Sequence, residues 1–308
     1  MDKILLFKLK MYFAIFLAFL IGSLALFYIF RLFAGASSEL AIFYILLLIL
    51  PSLFIQYAIG PYLIGAMYRL KEVKEGDEYD WLKRIVSKVA SSNGVKVPRI
   101  YIANVNFMNA FAYGNIFSGP RVAITLPFLK RLDKDEIEAV LGHEIGHIRH
   151  KDVGLIMALG IVPTLVFWFG YSISMNMRRN AYLFLFGILI TLFSFLYELF
   201  VIYVNRQREA YEDINSVKTT GKPNSLITAL AKIELENQPA FANRQSYFSN
   251  VSSMLMFSPV RKKTYFKSVE DVVAYWRSYK VRLVDEIFSD HPHPANRLKL
   301  IESAAGIS

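Results

Sequence analysis

The sequence predicts a mostly α-helical membrane protein: four transmembrane helices and a water-exposed α+β unit with a small β-sheet. Three observations predict it. The 308 residues are 55% apolar and only 19% charged, with mean hydropathy +0.36, which is too apolar for an ordinary soluble enzyme. Four runs with almost no charge, at about 12–30, 41–65, 153–174 and 181–204, are each long enough to cross the hydrocarbon layer. Polar, periodic sequence fills the rest. The chain then divides into a hairpin of spans at 1–67, a first polar part at 68–152, a second hairpin at 153–204 and a second polar part at 205–308.

Lys3, Lys8 and Lys10 precede the first run. That run is longer than the apolar stretch of a cleaved signal peptide and no small-x-small site ends it, so a retained span is expected. Pro51 should kink the second run. The basic residues at 69, 71, 74, 149, 151, 206 and 208 place both polar parts on the cytoplasmic side of a cell membrane, against Arg178 and Arg179 in the opposite link. The net charge of +10 is read as membrane-flanking. Its residues form no stripe interleaved with aromatics, so nucleic acid is not an expected partner. With no cysteine, disulfides, thiolate ligands and cysteine nucleophiles are excluded.

In the first polar part, Trp81, Ile85, Val86 and Val89 predict a helix over 72–92, broken at Asn93-Gly94. Strands are expected at 98–105, 109–114 and 121–125. A helix follows over 132–150, with Asp133 as N-cap, Glu136 closing a capping box, and Ile137, Val140, Leu141, Ile145 and Ile148 on its apolar face. Gly142 and Gly146 on it would admit either a neighbouring strand or substrate, or a packed helix. The fourth run should continue as helix to about 219, stopped by Thr220-Gly221-Lys222-Pro223. A short helix over 224–235, an aperiodic loop over 236–267, a helix over 268–287 and a last helix through Ala305 complete the reading.

The chemistry sits in His143-Glu144-Ile145-Gly146-His147. Residues four apart on a helix share a face, so both imidazoles can grip one metal ion, and Glu144 is placed to take a proton from water activated there. A hydrolytic zinc site needs a third protein ligand. The position ten after His143 is Val153, and His150 lies about 10 Å up the helix, a surface or supporting histidine. Two crossings return the chain to the side it left. Glu209, Glu212 and Asp213 are therefore candidates, with Glu209 and Asp213 one turn apart. Glu198, inside the fourth run, is a rival.

The ordered set of segments Met108-Asn109-Ala110-Phe111-Ala112-Tyr113-Gly114, Asp135 through Asp152, Arg208-Glu209 with Asp213, and His291-Pro292 with Arg297 resembles the membrane-embedded zinc metalloproteases of family M48, in particular the HtpX heat-shock protease group. The resemblance spans roughly residues 90–300. It implies a zincin-like catalytic domain. One zinc ion per chain would lie on His143, His147 and Glu209, with Glu144 as general base and Asp213 behind a ligand. The strand Asn109-Ala110-Phe111-Ala112 would bind extended substrate, and His291 and Arg297 would stabilise the oxyanion. Where the family has alanine, glycine and proline, this chain has Glu212, Pro127 and His293. The implied activity is endoproteolysis in protein quality control. Because the motif helix ends about three residues before a span, misfolded or damaged membrane proteins are the expected substrates at the cytoplasmic surface. An intramembrane protease would carry the motif inside an apolar run, which Lys134, Asp135, Glu136, Glu138, Arg149 and Lys151 exclude here. A non-enzymatic metal-binding scaffold would not need Glu144. Prenyl-protein proteases of the same broad family usually carry more spans.

Overall fold

The computed structural model describes residues 54–55, 57–176, 180–242 and 266–307. The expected span at 12–30 and most of that at 41–65 lie outside these residues, as does most of the loop expected over 236–267. Two described helices are long and apolar enough to cross a membrane, Asp152–Asn176 and Ala181–Thr220, and a shorter apolar helix covers Tyr57–Met67.

The sheet has four strands, β1 (Lys71–Glu72), β2 (Arg99–Ala103), β3 (Ala110–Asn115) and β4 (Gly119–Thr125), in the order β1-β2-β4-β3. β2 and β4 are parallel; the outer pairs are antiparallel. Alternation along the strands sorts their side chains into two layers. Ile100, Ile102, Ala110, Val122 and Ile124 face the main core with helices Trp81–Asn93, Lys134–His150 and Pro223–Ala242. Tyr101, Phe111, Tyr113 and Ala123 face an aromatic cluster closed by Tyr68 and Phe107.

The motif helix, Lys134–His150, begins as expected: Asp133 accepts from the Asp135 and Glu136 backbones, and the Glu136 side chain returns to the Asp133 N–H at 2.9 Å. A short helix, Leu126–Arg131, precedes it. The helix expected over 72–92 starts only at Trp81, because Asp77 accepts from Lys74 N at 2.6 Å and Gly76 takes φ 79°, folding the intervening residues into a turn. The helix expected over 224–235 runs on to Ala242. That expected over 268–287 is split into Val269–Ser278 and Leu283–Glu286. At the break, Tyr279 turns extended, stacks on His293 with ring centroids 4.7 Å apart, and donates to Asp285 at 3.0 Å.

The 40-residue helix Ala181–Thr220 is about 60 Å long, twice the hydrocarbon thickness. Its burial changes along its length. Gly187, Ile190, Ser194, Tyr197, Val201 and Val204 are buried at helical spacing, whereas Arg208 to Val217 are buried throughout. The first half thus packs one face on its hairpin partner and shows Leu185, Leu189, Leu192 and Leu196 outward; the second half enters the polar domain's core. The hairpin helices approach through small residues: a Cβ at Gly170 or at Gly187 would fall 2.8 Å from the other glycine's carbonyl oxygen.

Glu234, on Pro223–Ala242, is buried and accepts from the Trp276 indole N–H at 2.9 Å. Burial pushes its carboxyl up to about 7. The folded protein therefore holds this proton more tightly than the unfolded chain. Stability present at acid pH is lost as pH rises through about 7, by about 3 kcal/mol. Glu234→Gln is expected to raise Tm in detergent at pH 8 and leave it unchanged at pH 4. Equal shifts at both pH values would show that the carboxyl does not titrate this way.

Candidate metal centre

The motif helix and the second half of the long helix cross at the site. Gly142 and Gly146 permit that crossing. A Cβ at Gly146 would fall 1.8 Å from Glu212 Oε2 and 2.6 Å from Asn215 Nδ2, and one at Gly142 would fall 2.7 Å from Thr220 Cγ2. Of the two neighbours the sequence allowed for these glycines, the structure places a packed helix. Gly146→Ala must push Glu212 off His150, whose Nδ1 it meets at 2.5 Å. A loss of about 1–3 kcal/mol is expected from this overpacking, read as a lower Tm; an unchanged Tm would mean the helices can separate.

Across this contact the side chains of His143, His147 and Glu209 converge. His143 Nε2 and His147 Nε2 are 3.2 Å apart, and lie 3.3 Å and 3.4 Å from the two Glu209 carboxylate oxygens. Each imidazole turns its other nitrogen to a carboxylate: His143 Nδ1 lies 2.9 Å from Asp213 and His147 Nδ1 lies 2.6 Å from Asp152. The His147 Nδ1–Asp152 contact is a hydrogen bond and Asp213 stands beside His143 Nδ1. Carboxylates on that side favour the Nδ1–H tautomers, which turn both Nε2 lone pairs toward the Glu209 carboxylate. Three acceptors at that separation require a cation between them. The edge of a tetrahedron with bonds of about 2.1 Å is about 3.4 Å, so the spacing fits zinc. Glu209 Oε2 is also buried without a protein hydrogen-bond partner. Burial disfavours a charged His143 imidazole, but Asp213 and Glu209 push its pKa up to about 10. Burial likewise raises Glu209, yet His291, His147 and His143 hold it well below the usual carboxylate range.

The supporting carboxylates are anchored in turn. Arg297, buried on the helix Pro294–Ala304, clasps Asp213 through Nε at 2.8 Å and a terminal nitrogen at 2.7 Å. Arg208 pairs with Asp152. Asp152 and Arg208 stand in the segments that carry the resemblance, but no role at the site was expected of them. Asp152 reaches back over His147 because Lys151, at φ 57°, turns the chain left-handed between two helices, a local geometry without a sequence signature at lysine. Glu212 lies beside His150, outside the triad around His143, although it also comes near His147 and Asp152. Glu198 is exposed on the hairpin and joins no such group among the described residues.

Glu144 is buried, and its Oε2 accepts from the Ala112 backbone N–H at 2.7 Å. Burial raises its pKa, the direction that favours a proton carrier near neutral pH. The bond also fixes the free edge of β3 against the site, since β3 ends the sheet. Ala110, Phe111 and Ala112 lie on that strand, with Phe111 turned into the aromatic cluster. Asn109 precedes it and its backbone is tied to Thr125. His291 Nδ1 lies 3.1 Å from Glu209 Oε2, and both its ring nitrogens are without a hydrogen-bond partner among the described residues. His293 is instead an N-cap, accepting from Ala295 N at 3.2 Å.

Two histidines on one helix, a glutamate between them and a carboxylate from a second helix form a donor set of the metallopeptidase class. The chain belongs to peptidase family M48, whose profile matches residues 77–305. It is 44% identical over 265 residues to "Protease HtpX homolog 2" of Sulfurisphaera tokodaii, covering 80% of this chain and 81% of that one. It is 41% identical over 274 residues to "Protease HtpX homolog" of Thermoplasma acidophilum, covering 83% and 85%. The fold is shared with the crystal structure of S. mikatae Ste24p at TM-score 0.55 and 16% identity, over 98% of this chain and 67% of that one.

Proposed function

We propose that this M48 protease is a zinc-dependent endopeptidase of the HtpX type, held in the cell membrane by its apolar helices, with its catalytic domain on the cytoplasmic face. The observation that carries the zinc assignment is the convergence of His143 Nε2, His147 Nε2 and Glu209 within 3.4 Å of one another. When bound there, zinc would supply a Lewis acid for the scissile carbonyl and for water. The protein's own groups do the rest. Glu144 accepts the proton of the attacking water and delivers it to the leaving nitrogen. Asp213 and Asp152 hold the imidazoles in one tautomer. Arg297 acts through Asp213, keeping its carboxylate ionised and aimed. His291, with Nε2 unpartnered, is the available donor to the oxyanion. The free edge of β3 pairs with an extended peptide, and Ala112 brings that peptide beside Glu144.

The outward leucine stripe on the first half of the long helix supports a lipid environment, and the motif helix ends at the root of that hairpin. The substrates proposed are misfolded or damaged membrane proteins with exposed loops, which makes the enzyme part of protein quality control. The test uses the purified full chain in detergent with an unfolded protein as substrate. Zinc should be present at about one per chain, a chelator should abolish cleavage, and added zinc should restore it. Full cleavage after the metal has been stripped would end the zinc reading. In liposomes, a membrane-tethered substrate should be cut faster than its soluble counterpart; equal rates would remove the membrane-substrate part.

A further inference from the structure

We propose that the tip of the β3–β4 hairpin is a lipid-binding element, seated at the headgroup–acyl boundary of the bilayer beside the helix Tyr57–Met67. The inference rests on the membrane reading above. It begins from an unusual turn. Surface turns favour small polar residues, yet this one carries Ile116 and Phe117, 80% and 57% exposed. The turn is rigid. Asn115 Oδ1 accepts from Phe117 N at 3.0 Å and Ser118 N at 2.7 Å, and Ser118 Oγ accepts from Asn115 N at 3.0 Å. The two apolar side chains are thus held outward by a built scaffold.

The depth of the tip follows from what holds it. Asn115 Nδ2 donates to Tyr57 O at 2.5 Å, and the Phe117 ring meets Phe54 and Tyr57 edge-on with centroids 5.8 and 6.3 Å away. At the other end of the strand, Phe111 packs on Tyr68 with centroids 5.1 Å apart. The hairpin therefore runs along the helix, its tip directed back toward the uncharged run 41–65. Tyr57 lies ten residues before Met67, about 15 Å along the helix. A second reckoning starts from the metal centre. Ala112 is held by Glu144. From Glu144 the motif helix advances about 9 Å to His150, where the membrane hairpin begins, and from Ala112 the strand advances about 13 Å to Ile116. β3 also packs against Asp152–Asn176. Both routes bring the tip to the level where membrane helices start.

The chemistry fits phospholipid. Arg99, exposed, donates to the Ser118 carbonyl beside the tip, and Tyr62, exposed on the neighbouring helix, covers the buried Arg121 at 5.1 Å from its ring centroid. A surface cation and an exposed tyrosine flanking an apolar point match headgroups above acyl chains. Seating the tip there would set the peptide-accepting edge of β3 at the membrane surface, where a loop leaving the bilayer can pair with it.

The chain has no cysteine, so single-cysteine variants report position directly. Ile116→Cys and Phe117→Cys carry an environment-sensitive fluorophore in the full chain, one copy per phospholipid nanodisc. Leu192→Cys on the outward face of the long helix and Glu78→Cys in the β1 turn are the references. Labels at 116 and 117 should lose most of their emission to lipids spin-labelled on the acyl chain and resist aqueous iodide. The Glu78 label should do the reverse. Iodide quenching at 116 and 117 equal to that at 78, with no effect of spin-labelled lipid, would overturn the proposal. Protection from both quenchers would overturn it too, by showing that protein covers the tip. If the label at 192 also ignored spin-labelled lipid, the membrane reading itself would fall, and the proposal with it.

Discussion

Glu144→Gln is expected to reduce turnover of an unfolded protein substrate by about 10²–10⁴-fold, the range general acid–base groups contribute, while the protein keeps its fold and its zinc. The reasons are local. Glu144 is not one of the three converging donors; its Oε2 accepts the Ala112 N–H at 2.7 Å, and the Gln carbonyl can accept that same bond. The substitution removes proton acceptance alone. The cluster His143, His147 and Glu209 keeps its charge and spacing, so metal content by elemental analysis should equal that of the parent. The outcome that would sink the general-base role is undiminished cleavage by a variant that holds a full complement of zinc. Loss of both zinc and cleavage would instead mean that Glu144 supports the metal.

Much of the site was legible because it is local. A capping box, an apolar stripe and two histidines one turn apart all lie within the helix Lys134–His150 and its N-cap Asp133, and helix geometry relates them without tertiary knowledge. The return of a carboxylate after the second hairpin followed from counting crossings. Two kinds of information were missing. The first is rotational phase: Glu209, Glu212 and Asp213 stand within about one turn, and which of them faces His143 depends on how the long helix is rotated where it crosses Gly142 and Gly146. The second is contact created by irregular backbone. Asp152 meets His147 only because Lys151 turns left-handed, and Tyr279 breaks its helix to stack on His293. Neither leaves a periodic pattern. Three of the four strands were read nearly to their boundaries; the two-residue β1 was not, because its Glu72 falls at the start of the helix expected over 72–92. Neither were the sheet's two faces, since the aromatic cluster is completed by Tyr68 and Phe107 from outside the strands.

The rotational phase is also where metal binding can be tested most sharply. Glu209→Gln and Glu212→Gln remove the same charge from two buried carboxylates three residues apart on one helix. Glu209 meets both Nε2 atoms, at 3.3 and 3.4 Å; both carboxylates have one oxygen without a hydrogen-bond partner among the described residues, so the approach to the imidazoles is what separates them. Glu212 is turned to His150 Nδ1 at 2.5 Å. Removing a group that only supports a ligand typically weakens metal binding about 10–100-fold. Losing a direct ligand should therefore exceed that range for Glu209→Gln, whereas Glu212→Gln should stay within it or below. Competition with a zinc-selective fluorescent chelator on the purified chain reads both. The pattern expected is a Glu209→Gln protein that purifies without zinc and cleaves nothing, beside a Glu212→Gln protein that keeps zinc but melts lower because His150 has lost its partner. The opposite order would move the third ligand to Glu212. That would require the long helix to turn by about 60° and slide by about 4.5 Å at the Gly146 contact, where a Cβ has no room.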